Sequence, residues 1–345
     1  MLTAIATMRH ATPEAVPWKT PRDRRSRKSR AAPRPRMKPA QLRILSLKNA
    51  DYTASGRSRC QIITDLLCSP LSEPSSKSLN KTIFLTGASS GIGLAIAETL
   101  AARGHQIWGT SRDPARLPRL PGLHPVQLDL SDRQSIDTAF NTALAEANHF
   151  DVLINNAGSG HFGSAERLLE DEVLRQFQIL VFGHLHLMQL ALKSMHAQGS
   201  GLIINVTSLA ARLPVPFMAA YNAAKAAMAA FTMSIQLELG NSAIRIVDLQ
   251  PADIRTAFND AVVRDHIPES MEERVEKTWR AVENNMANAP GPELVARHVL
   301  RLMDSSNPPP RLTVGDMFQS KIAPFLLRFL PHRVQIWGLK KYYGI

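Results

Sequence analysis

The segment Thr86-Gly87-Ala88-Ser89-Ser90-Gly91-Ile92-Gly93 restricts what this chain can fold into more than any other. Before it stands Thr82-Ile83-Phe84-Leu85, a short, apolar, partly β-branched run of the kind that forms a strand buried on both faces. After it, Leu94 to Arg103 is rich in Ala, Leu and Glu and contains no Pro, so it reads as a helix. A glycine-rich turn therefore joins a strand to a helix start. Gly87, Gly91 and Gly93 allow a tight path and leave no Cβ between the backbone and a bound group. Gly91, Ile92 and Gly93 bring free N–H groups and the positive end of the helix dipole, while Ser89 and Ser90 add hydroxyl donors. Such a turn suits a dinucleotide pyrophosphate, although the spacing is Gly-x-x-x-Gly-x-Gly rather than the commoner Gly-x-Gly-x-x-Gly.

Strand-like and helix-like stretches alternate from there. Strands are expected at Gln106 to Thr110, Pro125 to Leu128, Val152 to Asn155, Leu202 to Val206, Ile244 to Leu249 and Arg311 to Val314. Helices are expected at Ser131 to Glu146 with Ser131 as N-cap, at Asp171 to Ala197 as one long element, and at Tyr221 to Leu239, closed by Gly240. The order predicts an α/β fold: a doubly wound, Rossmann-like parallel sheet of about seven strands with helices on both faces. Ligands then bind at the carboxyl ends of the strands.

Three further stretches stand at those ends: Asn155-Asn156-Ala157-Gly158; Ser208 followed by Tyr221-Asn222-Ala223-Ala224-Lys225; and Pro251-Ala252-Asp253-Ile254-Arg255-Thr256. With the glycine turn they resemble, in order and spacing, the short-chain dehydrogenase/reductase family over about Asn80 to Val314. The resemblance implies a nicotinamide cofactor. It implies that Asp129 and Leu130 border the adenine and that Asn155, Asn156, Ala157 and Gly158 line the cofactor. Pro251, Ala252, Ile254 and Thr256 would lie on the nicotinamide side, and Tyr221 and Lys225 would touch the cofactor as well as the substrate. The family usually has Gly after that Pro, so Ala252 is a departure. A second departure is Leu180, which aligns with an Asn that relays protons through a water. His184 and His186, nearby, read as ordinary helix histidines.

After the second strand come Thr110-Ser111-Arg112-Asp113. A planar guanidinium suits the 2′-phosphate of NADP, whereas an acid suits the ribose of NAD. Arg112 is the candidate for the first and Asp113 for the second; NADP is the expected cofactor. Tyr221 and Lys225, four apart on a helix, share one face. Tyr221 would exchange the proton, Ser208 would hold the substrate oxygen, and Lys225 would hold the nicotinamide ribose and lower the Tyr pKa. A positive charge ~6 Å away at an effective dielectric of ~20 is worth about 2.8 kcal/mol, which would bring the phenol to about 8. No metal is expected. The rival reading, from another class, is a cofactor-binding sensor or scaffold protein that has the fold and little turnover.

The chain of 345 residues carries a net charge of +12, but the charge is uneven. Residues 1–79 hold 16 Lys and Arg against 5 Asp and Glu, and residues 80–345 hold 25 against 24. The tail, with its basic core from Arg22 to Arg36, reads as disordered and solvated, or as translated from too early a start, and no nucleic-acid partner is expected. Its Cys60 and Cys68 are the two cysteines of the chain, which points to a reducing, cytoplasmic setting. No apolar run reaches the ~18 residues of a membrane span. Residues 80–320 form the expected catalytic domain. Within it, 254–290 is read as an apolar substrate lid, and Phe162 and Phe217 as substrate-facing residues beside Ser208 and Tyr221, suiting a hydrophobic ketone or alcohol. Residues 321–345 combine large apolar and basic side chains without an acid, so they either cap the cleft or lie on a membrane surface. The family resemblance also implies a homo-dimer or tetramer through the two long helices.

Overall fold

The structure, a computed structural model, describes residues 80–258, 262–264 and 267–345. The basic tail with its two cysteines lies outside the described residues. Seven parallel strands form one sheet: β1 (Thr82–Leu85), β2 (Gln106–Ser111), β3 (Leu123–Gln127), β4 (Val152–Asn155), β6 (Gly201–Val206), β7 (Ile244–Pro251) and β9 (Arg311–Val314), in the order β3-β2-β1-β4-β6-β7-β9. Two-residue strands β5 (His161–Phe162) and β8 (Val263–Arg264) pair separately.

The central strands β1, β4 and β6 are mostly apolar because helices cover both faces. Alternation along β1 shows the division. Ile83 and Leu85 face a core shared with α1 (Gly91–Ala101) and α7 (Glu293–Asp304). Phe84 faces the opposite core, shared with α2 (Arg133–Ala147) and α4 (Gly183–Gln198). All three side chains are fully buried, worth about 2–3 kcal/mol each in transfer free energy. Phe84 also meets Phe150 edge to face, with ring centroids 5.4 Å apart.

Two sequence expectations change here. Asp132, not Ser131, caps α2: its carboxylate accepts from Gln134 N at 3.0 Å. Ser131 is engaged elsewhere, donating through N and Oγ to Asp129 at 2.8 and 2.7 Å. The single long helix is broken into α3 (Glu170–Phe177), a π-turn (Gln178–Phe182) and α4. Gly183 packs so closely on the Leu130 carbonyl that a Cβ there would lie 2.5 Å from the oxygen.

The order of strands reverses beside β1, which places a crevice between the ends of β1 and β4. Helix α5 (Ala219–Leu239) runs along the sheet and packs on β7. The remaining elements are α6 (Glu272–Asn288), a second π-turn (Phe318–Ile322), α8 (Ala323–Phe329) and α9 (His332–Tyr343). No helix among the described residues is long and apolar enough to cross a membrane.

Candidate active site

The glycine turn is held from below by the side chains of Thr86, Asn156 and Thr110. Thr86 Oγ1 accepts from the amides of Asn156 and Ala157 at 2.8 and 3.0 Å, and Asn156 Nδ2 donates back to the carbonyls of Thr86 and Gly87. Thr110 Oγ1 accepts from Gly87 N at 3.2 Å. Gly87 and Gly91 sit at φ +72° and +54°, where an L side chain is strained. At Gly93 the constraint is space, since a Cβ would lie 1.9 Å from the Gly87 carbonyl oxygen. Ser90 occupies the N-cap of α1 without making the usual side-chain cap bond, and the first turn has no acid. Free amides and an open glycine cradle at one helix N-terminus fit a pyrophosphate.

Around this cradle the other named residues divide. Arg112 is exposed, just past the end of β2, and its charge helps to hold the Asp129 carboxyl below the usual range, after the larger effect of the two Ser131 hydrogen bonds. The Asp113 carboxylate is engaged locally, accepting from Ala115 N at 3.0 Å at the cap of a short 3-10 turn. Asn155 turns inward: it is buried and donates to Asn205 Oδ1 at 2.9 Å, tying β4 to β6. Leu130 and Ile254 are buried apolar residues, and Thr256 packs over Gly91. Ala252 N donates to Val314 O at 2.7 Å, anchoring the loop after Pro251 to β9.

Ser208 follows β6 and accepts from Ala210 N at 3.0 Å, leaving its own proton available to donate. Tyr221 is half-buried near the start of α5, with Lys225 one turn on and its Nζ 5.8 Å from the phenol ring centroid. Lys225 is buried, and its ammonium donates to the Val206 carbonyl at 2.9 Å. Burial pulls its pKa down to about 8, with Asp248 opposing. Burial pushes the Tyr221 phenol up to about 12, while a hydrogen bond with Ser208 pulls the other way. The expected fall of the phenol toward 8 is therefore corrected: in the described site desolvation dominates, and the effect that opposes it is the hydrogen bond with Ser208. His184 behaves as the sequence suggests. It is buried, pushed down to about 3 by desolvation and then by Lys225, and its Nε2 lies 3.3 Å from Thr86 Oγ1.

Leu180, in the π-turn, is fully buried in a small cluster with Val181 and Ala224, and Tyr221 packs against it. Phe162 is corrected. It is fully buried with its ring 5.8 Å from Phe217 and 4.9 Å from Trp279, so it is core to a small apolar cluster with Met218 and Val275 and offers no surface to a substrate. Phe217 is one of two non-glycine residues at positive φ among the described residues, at +63°, a strained position of a kind that gathers at functional sites.

A cavity of about 240 Å³ opens beside Ser208. Its walls are mostly apolar: Leu209, Leu213 and Val215 on one side, Leu326, Leu330 and Val334 from the C-terminal helices on the other. The segment expected either to cap the cleft or to lie on a membrane thus lines this cavity. Its polar anchor is Asp253, which accepts from the Gln319 amide nitrogen and from the Tyr342 hydroxyl at 3.4 Å. Burial pushes that carboxyl up and the tyrosine to about 12. Sequence reading missed Thr86, Thr110, Gln319 and Tyr342. Thr86 stands within the motif quoted; nothing local marks the other three, because their partners are distant in sequence.

A parallel sheet with a glycine cradle at its switch point, a Tyr and Lys one turn apart on a helix, and a Ser on the wall of an apolar cavity define a nicotinamide-dependent oxidoreductase of the Rossmann type. The comparisons make this specific. The family model described as short chain dehydrogenase matches residues 81–267, and the chain belongs to that family. It is 29% identical over 266 residues to a 3-ketodihydrosphingosine reductase of Bacteroides thetaiotaomicron, covering 76% of this chain and 98% of that protein. A short-chain dehydrogenase from Streptomyces avermitilis superposes with a TM-score of 0.64 at 28% identity, covering 78% of this chain and 97% of the other. A 3-ketoacyl-(acyl-carrier-protein) reductase from Brucella melitensis, solved with NADH, gives 0.59 at 26% identity, with 69% and 98% covered. The chain is a short-chain NAD(P)-dependent dehydrogenase/reductase.

Proposed function

We propose that this enzyme reduces a hydrophobic, lipid-like ketone to an alcohol with NADP as its cofactor. The observation that carries the reading is Ser208 on the wall of an apolar cavity, hydrogen bonded to a phenol that burial keeps protonated. The cofactor, when bound, supplies the hydride. Tyr221 gives its proton to the carbonyl oxygen, and a neutral phenol with pKa about 12 is the form that can do so at neutral pH. Ser208 donates a hydrogen bond to the same oxygen. Lys225, protonated below about 8, provides positive charge behind the phenol as negative charge develops. The sphingoid substrate named for the Bacteroides relative and the acyl substrate named for the Brucella reductase support a long-chain ketone.

For the cofactor, the exposed Arg112 and the locally engaged Asp113 carboxylate favour a 2′-phosphate over a bare ribose. Leu174, Phe231 and Leu237, exposed apolar residues on α3 and α5, support self-association through those helices. The rival reading, a cofactor sensor without turnover, is favoured by Leu180 alone, which cannot bind a relay water. Tyr221→Phe separates the two. The proposed reductase should retain cofactor binding and lose at least ~100-fold in turnover on a panel of lipid ketones. Unchanged turnover would remove Tyr221 from the chemistry.

A further inference from the structure

Residues 317–345 are unlike the rest of the described surface. Of 19 exposed large hydrophobic residues among the described residues, 12 lie in this stretch. Met317, Phe318, Phe325, Phe329 and Trp337 are each half or more exposed. The same stretch carries Lys321, Arg328, Arg333, Lys340 and Lys341 and no acid, whereas residues 80–316 hold 20 Lys and Arg against 24 Asp and Glu. A net +5 patch rich in exposed aromatics thus sits on a body of net −4. Phe325 and Phe329 pair one turn apart on α8, with ring centroids 5.2 Å apart, and Lys341 lies 5.7 Å from the Trp337 ring on α9. Trp and Lys side chains of this kind favour a membrane–water interface.

We propose that the C-terminal cap, α8 with α9 and the turn before them, docks on an anionic lipid surface. The charge selects this occupant. A second copy meeting the patch face to face would set five cations against five, whereas anionic headgroups neutralise them. The apolar side chains enter the headgroup boundary without crossing the bilayer, which suits two short helices separated by Pro331. Leu326, Leu330 and Val334 are at once exposed and part of the cavity wall beside Ser208, so the docked face is also a wall of the cavity. Entry of a lipid ketone from the bilayer through that wall rests on the proposed function; the docking does not.

The test follows Trp337 in the full-length chain carrying Trp18→Phe, because the basic tail can bind anionic vesicles by itself. Trp108 and Trp279, each 5% exposed, are shielded from lipid, so quenching by vesicles with brominated acyl chains reports on Trp337. Phosphatidylcholine vesicles containing roughly one third phosphatidylserine should quench the emission, and pure phosphatidylcholine should not. Trp337→Phe should abolish the quenching. Phe325→Ser with Phe329→Ser, both exposed and therefore tolerated by the fold, should raise the half-quenching lipid concentration about tenfold. Three outcomes would overturn the proposal: co-sedimentation with vesicles but no quenching, which leaves the tail as the only contact; equal quenching on zwitterionic vesicles; or a dimer that Trp337→Ser dissolves.

Discussion

Lys225 is held in the fold at a cost, and that cost can be measured. The side chain is buried, and its pKa falls from 10.5 to about 8 because burial penalises the ammonium. A displacement of that size corresponds to about 3 kcal/mol. Lys225→Met keeps the length of the side chain and removes the charge. The Val206 carbonyl, which now accepts from Nζ at 2.9 Å, would lose that donor, at about 1 kcal/mol. The net expectation at pH 7 is a variant about 2 kcal/mol more stable than the parent, a rise in Tm of about 4–8 °C for a domain of this size. Below pH 8 the ammonium is present in folded and unfolded chains alike, and the parent carries the full burial cost. Between about 8 and 10.5 the folded chain releases the proton while the unfolded chain keeps it, so parental stability rises with pH. The advantage of the variant should therefore shrink across that window and reverse above it, by the about 1 kcal/mol of the lost hydrogen bond. Paired thermal denaturation of both proteins from pH 7 upward tests this. A variant no more stable than the parent at pH 7, or an advantage that persists undiminished above pH 10.5, would refute the reasoning. On the proposed function the same variant should lose turnover, a site that trades stability for activity.

Arg112→Ala should weaken NADP binding by about 1.5–3 kcal/mol and leave NAD binding nearly unchanged, as titration of each cofactor would show; equal losses would remove Arg112 as the discriminator. Leu180→Asn places an amide in a fully buried apolar cluster and should cost about 3 kcal/mol of stability, read from urea denaturation. Turnover per folded molecule should be unchanged or higher, since the amide can bind the relay water that leucine cannot; an unaltered denaturation midpoint would show that Leu180 is not packed as described.

The sheet was legible because buried parallel strands write themselves as short apolar runs, and the limits of β4 and β9 agree with the sequence reading to the residue. The cap of α2 was misplaced because Ser131 and Asp132 are both good caps, and the choice turns on Asp129, which engages the serine. The break in the long helix was illegible: no Pro marks it, and the close approach of Gly183 to the Leu130 carbonyl just after it is a contact across the fold. The convergence of Ser208, Tyr221 and Lys225 on one region could be read from spacing and resemblance, but their protonation could not. A pairwise charge argument included the lysine and omitted the burial, and burial is the largest effect on the phenol. Sequence alone reads Phe162 as substrate-facing, yet whether an aromatic faces a ligand or a core depends on Trp279, 117 positions away.

Ala252 stands where the family resemblance leads one to expect glycine, and the geometry shows what admits it. A Cβ built on Gly315 would lie 2.6 Å from the Ala252 Cβ, while Gly315 itself has no left-handed backbone that would require glycine. One methyl group occupies the gap between the loop after β7 and the end of β9, and there is room for only one. A second methyl, placed on Gly315, would therefore have to push the loop after Pro251 away from the end of β9. The departure at Ala252 is thus accommodated by the bare backbone of Gly315 across the gap.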